Sequence, residues 1–188
     1  MTRRLVWGFF FAAGCVAWPQ PAGLPPEWEV RKMLAELSAL AQRFQPILDQ
    51  LNPRSWVAAG APETYVTQVA STKKEVGYLV ATGKALAERP EKLSLALETL
   101  FRMQAIEAFL RSLSEGVRRY QNPALADLLD GVMGETLGSR ERLRQYVVEL
   151  AAVKEDELAV MNQEAQRCRA AISRQPAPRQ TDSRGEKR

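Results

Sequence analysis

The chain has 188 residues, contains no histidine and carries a formal net charge of +4 at neutral pH. Lacking the commonest neutral-pH base and transition-metal ligand, it excludes Ser-His-Asp and Cys-His catalysis, C-x-x-C-H haem attachment and Glu-x-x-His di-iron sites. The charge belongs to the ends: Arg3 and Arg4 supply +2 and the segment from Arg169 onward supplies +4, leaving residues 18–168 with 18 basic and 20 acidic side chains, unlike the basic surface of a nucleic-acid binder.

Residues 1–17 read as an export signal. Arg3 and Arg4 precede thirteen uncharged residues, Leu5 to Ala17. That run is shorter than the roughly 20 apolar residues a membrane-spanning helix needs, and it matches the hydrophobic region of a secretory signal. Two cleavage readings stand. A cut after Ala17 places Cys15 and Ala17 at the small-residue positions before it. Alternatively, Ala12-Ala13-Gly14-Cys15 resembles a bacterial lipobox, with Ala12 where Leu is usual, and Cys15 becomes a lipidated first residue. Residues 18–26 (WPQPAGLPP) hold four prolines and form an extended linker, read either as a stand-off tether or as an unstructured mature N-terminus.

Residues 27–174 carry the pattern of an all-α antiparallel bundle of about four helices. In the first, over residues 27–51, Val30, Met33, Leu37, Leu40, Phe44, Ile47 and Leu51 alternate spacings of three and four. Pro46 interrupts the pattern without ending it, which predicts a kink. Residues 52–61 read as a loop from Asn52-Pro53 and Gly60. Trp56 within it is either a partner contact or a plug for the bundle end.

Pro62-Glu63 opens the second helix, to about residue 88, with a seam through Tyr65, Val69, Thr72, Val76, Leu79, Gly83 and Leu86. Gly77 and Gly83 weaken it while permitting close helix contact. Pro90 opens the third, to about residue 120. Its seam runs from Thr99 through Met103, Ile106, Leu110, Leu113 and Val117 to Tyr120, beside a second apolar row of Leu93, Leu97, Phe101, Ala105 and Phe109. Two rows predict a central helix with at least two neighbours.

Asn122-Pro123 is a cap followed by proline at the first helical position, and its tight turn makes the third and fourth helices antiparallel neighbours. From Pro123 the helical pattern lasts to about residue 173, read as one bent helix loosened by Gly131, Gly134 and Gly138, where Ser139 is an alternative restart. Its late apolar positions are Leu158, Met161, Ala165, Cys168 and Ile172. Longer than its partners, this helix is expected to meet the first helix or a second copy with its second half. Residues 175–188 hold no large apolar side chain and read as a disordered basic tail, either solvated or held to an anionic surface such as lipid headgroups.

No constellation carries catalysis, a cofactor, a metal or a small-molecule substrate. Arg140 and Arg144 suit an exposed ion-pair face better than an anion clamp. The acids of Glu155-Asp156-Glu157 diverge around a helix. Cys168 is left without an internal disulfide partner, as a buried thiol or a cross-link to another chain. The sequence therefore points to an exported, non-enzymatic helical bundle acting by protein–protein interaction or self-association. A lipoprotein lipidated on Cys15 is the alternative; an enzyme using carboxylates or Cys168 is a weaker one. Membrane attachment enters through lipidation or the tail, and nucleic-acid binding requires the export reading to fail.

Overall fold

The computed structural model describes residues 23–174, in which six helices and no strands occur. Helix α1 spans Glu27–Gln42, α2 Phe44–Asp49, α3 Pro53–Ala58, α4 Thr64–Glu88, α5 Leu93–Tyr120 and α6 Pro123–Arg174. Taking α1 and α2 as one bent rod, the four long elements alternate direction and close into a ring of adjacent antiparallel pairs. Cross-helix contacts fix that alternation. Arg31 reaches the Ala87 carbonyl while Lys73 pairs with Asp49; Glu75 pairs with Arg102 while Gln68 reaches the Phe109 carbonyl. Arg140 pairs with Glu107 while Arg118 pairs with Asp130, and Arg142 pairs with Glu36 while Arg43 pairs with Glu135.

Each boundary has a local cause. Pro26 leads into α1, its carbonyl accepting from the Glu29 and Val30 amides, and Glu27 and Glu29 place negative charge at the positive end of the helix dipole. Pro46 has no amide to give the Gln42 carbonyl, so the ladder breaks at Arg43, whose N–H turns to Leu40 at 3.1 Å. Arg43 keeps right-handed helical dihedrals, and Phe44, Ile47, Leu48 and Leu51 stay buried beyond it. The rod therefore bends without losing its apolar face.

Residues 52–61 are more ordered than a plain loop. Asn52 accepts from the Ser55 amide and Pro53 takes the first helical position of α3. That short helix carries Trp56 into the core at 0% exposure, and Gly60 (φ 93°) then reverses the chain. Helix α4 follows its expected seam, with Val69, Thr72, Val76, Leu79, Gly83 and Leu86 all buried. A Cβ on Gly83 would lie 3.3 Å from Ser38 Oγ of α1, which explains the small residue; Gly77 faces open space.

Helix α5 begins three residues later than its proline suggests. Pro90 is buried in the turn, where its carbonyl accepts the Tyr146 hydroxyl, and regular helix starts only at Leu93. Helix α5 packs against both α4 and α6 with Thr99, Met103, Ile106, Leu110, Leu113 and Val117 buried. Its second apolar row is half-covered: Leu93 and Leu97 pack against the core, Ala105 and Phe109 are half-buried, and Phe101 is 59% exposed. Two apolar rows read alike in sequence, yet the two neighbours of α5 bury only the first.

Helix α6 is continuous through Gly131, Gly134 and Gly138, so Ser139 starts nothing; it is buried mid-helix and accepts from Arg142 at 3.4 Å. Backbone ladder and flanking good helix formers carry the chain across the three glycines. Buried hydroxyls are satisfied along their own helices: Thr72 donates to Gln68, Thr99 to Leu95 and Thr136 to Met133.

Candidate interaction surfaces

The end of the bundle formed by α3 is closed. Trp56 stacks edge-on against Tyr65, and Tyr65 against Tyr120, at centroid distances of 5.5 and 6.4 Å. The indole N–H donates to Gln121 Oε1 at 2.9 Å. Gly116 makes room, since a Cβ there would approach Tyr65 Cε1 to 2.9 Å. Trp56 is thus the plug of this end and offers no surface to a partner, because every face of its ring is spent inside the chain.

The midsection is a lattice of ion pairs. Arg102 holds Glu98 at 2.8 Å and Glu75 at 3.0 Å while its guanidinium lies 4.9 Å above the Tyr78 ring. Those contacts, the Glu98 hydrogen bond first, raise its pKa. Arg140, Arg142 and Arg144 are bound to Glu107, Glu36 and Glu141. Two of the three tie α6 to its neighbours, so this basic run serves the bundle rather than an anion. Glu107 is the exception to full pairing: Oε2 takes Arg140 at 2.5 Å, whereas Oε1 is buried with no described hydrogen-bond partner. It borders a void of about 10 Å³ lined by Leu37, Phe44, Ile106 and Thr136, room for one water at most.

Three outward features remain. A shallow groove of about 590 Å³ follows the second row of α5, over Leu97, Phe101, Ala105 and Phe109, with Glu75 and Arg102 at its edge. A second groove, about 600 Å³, lies where the chain enters the bundle, between residues 23–26, Trp28 and Met33 on one side and Arg142, Tyr146 and Glu149 on the other. Burial there, with the charges of Glu91 and Glu27, pushes the Tyr146 hydroxyl up to about 12.

The third feature is the far half of α6. Leu150 is its last fully buried residue, and from Glu155 to Arg174 every residue is exposed. About 30 Å of helix therefore projects past the bundle end at which α1 begins. The expected contact with the first helix is made only at the start of this half: α1 begins at Glu27, level with Tyr146 and Glu149, so none of it extends alongside α6 from Glu155 onward. Leu158, Met161 and Ile172 are 58%, 63% and 63% exposed. Cys168 is likewise exposed rather than buried, because the helix carrying it has left the core. The signal was present in the length of α6 relative to its neighbours; the face it would leave bare was not.

Cys15, the rest of the leader and the basic tail lie outside the described residues. No helix among the described residues is long and apolar enough to cross a membrane. Comparison with protein families, with characterised proteins and with solved structures returns no match to this chain.

Proposed function

We propose that this protein is an exported, non-enzymatic helical bundle that works by holding another protein surface, as a scaffold, adaptor or chaperone-like component outside the cytoplasm. The observation that carries the reading is the projecting half of α6, whose apolar residues no described part of the chain covers. Apolar surface of that kind is costly to leave in water and is characteristic of an interaction site. The leader-like residues 1–17 support export, and a histidine-free composition weighs against most neutral-pH catalysis.

Photo-cross-linking from residue 160 in intact cells, followed by fractionation, tests the reading. Cross-linked adducts in the envelope or periplasmic fraction are the expected result. Uncut protein in the cytosol, forming no adduct, would remove it.

The lipoprotein alternative keeps one supporting feature. The proline-rich segment enters the bundle at the end from which α6 projects, so an acyl chain on Cys15 would place the exposed helix on the membrane-facing side. Mass spectrometry of the mature N-terminus separates the two: acyl mass on Cys15 supports anchoring, and a free Trp18 start rejects it.

A further inference from the structure

The apolar stripe on the projecting helix continues the face that α6 buries in the bundle. Eighteen residues make five helical turns, so Met161 lies on the line of buried Leu143, Ala165 on that of Val147 and Cys168 on that of Leu150. Leu158 and Ile172 complete the stripe at spacings of three and four. The face that the bundle covers up to Leu150 therefore runs on past the start of α1, where no described element lies against it.

Charge along this seam is divided. Glu155, Asp156 and Glu157 lie near its base, and Arg167, Arg169 and Arg174 lie toward its tip. Two copies laid side by side in the same direction would set acid against acid and base against base. Laid in opposite directions, they complement each other, and one register also matches the four central apolar positions, leaving Ile172 opposite Lys154 and Glu164 beside its own copy near the centre. With residue 163 at the centre, Leu158 faces Cys168 of the second copy and Met161 faces Ala165 of the second copy, alternating the two core positions of the heptad as antiparallel pairs require. In the same register Glu155 comes beside Arg169 of the second copy, and the reverse pair repeats it.

We infer that the projecting half of α6 is an antiparallel self-association helix, pairing with the same segment of a second copy about residue 163. The inference rests on the proposed role in protein–protein interaction and gives it a partner. Helical order costs little here, because continuity with the bundle has already supplied the nucleus that a free segment of this length would lack.

Light scattering across a concentration series on the purified protein is expected to give a monomer–dimer equilibrium. Glu155→Lys and Arg169→Glu, both at exposed positions, should each weaken it about ten-fold, and the combined E155K/R169E variant should restore it. Leu158→Cys should allow an interchain disulfide to Cys168, assigned by mass spectrometry of the digest. The native protein should form no Cys168–Cys168 link, since those residues would lie about 15 Å apart along the pair. A Cys168–Cys168 link, or a dimer that the charge swaps leave unchanged, would overturn the pairing while leaving a partner-binding role intact. A monomer at all concentrations that still yields envelope cross-links from residue 160 would do the same. A monomer without adducts would sink both readings.

Discussion

The indole N–H of Trp56 donates to the side-chain oxygen of Gln121 at 2.9 Å, tying the α2–α3 corner to the end of α5 across 65 residues of chain. The same oxygen accepts from the Asn52 amide at 3.1 Å, and Gln121 Nε2 donates to the Gln50 carbonyl at 2.8 Å. One amide side chain thus satisfies three groups at the closed end of the bundle. Gln121→Ala leaves a buried indole N–H with no acceptor, which costs about 1–3 kcal/mol. Urea unfolding should show the free energy of unfolding fall by that amount; an unchanged midpoint would mean solvent replaces the amide without loss.

Glycines on the two last helices should respond in opposite senses. Gly116→Ala drives a Cβ to 2.9 Å from Tyr65 Cε1 and 3.3 Å from Trp56 Cζ3, so the aromatic cluster must move, at about 1–3 kcal/mol. Gly134→Ala meets nothing within 4 Å on an unbroken helix and should stabilise by about 0.5–1 kcal/mol. Thermal denaturation of both variants checks the pair; two shifts of the same sign would refute the packing account.

Alkaline stability should depend on Tyr146. Its folded pKa, about 12, lies above the ordinary 10.0, so between those values the unfolded chain loses the proton first. The stabilising contribution is complete below pH 10 and disappears as pH rises toward 12, for a total of about 3 kcal/mol at most. Tyr146→Phe should flatten that slope while sacrificing about 1 kcal/mol at neutral pH through the lost bond to the Pro90 carbonyl. Chemical denaturation from pH 8 to 11.5 measures both, and parallel curves for the two proteins would contradict it.

Beyond Glu157 no residue of α6 is buried, so a chain ending there should keep the same free energy of unfolding by urea in dilute solution, within about 0.5 kcal/mol. A substantial loss of stability would show that the projecting half folds back onto the bundle.

What the sequence discloses is the seam, and what it conceals is the seam's width. Val69 to Leu86 and Thr99 to Val117 could be placed on buried faces from spacing alone, because a half-buried helix must repeat its apolar residues near 3.6. Phe101 and Phe109 obey the same periodicity, yet Phe101 is exposed and Phe109 only half-buried, since periodicity ranks faces without saying how many neighbours arrive to cover them. Proline positions were similarly ambiguous. Asn52-Pro53 bears the cap signature that correctly located Asn122-Pro123, and it starts α3 within what otherwise reads as loop. Pro90, by contrast, ends as a turn residue because its carbonyl is recruited by Tyr146 from 56 residues away, a contact no local rule contains. The exposure of Cys168 has the same origin: its helix position is legible, but the point at which its neighbours run out is not.

The chain enters and α6 departs at one pole of the bundle, which leaves the opposite pole, around Gly60, clear of both. A fluorophore or an affinity handle inserted at that corner would ride on the rigid body while leaving the entry groove and the bare rod unobstructed. The molecule can therefore be watched or tethered from one side while the other stays open.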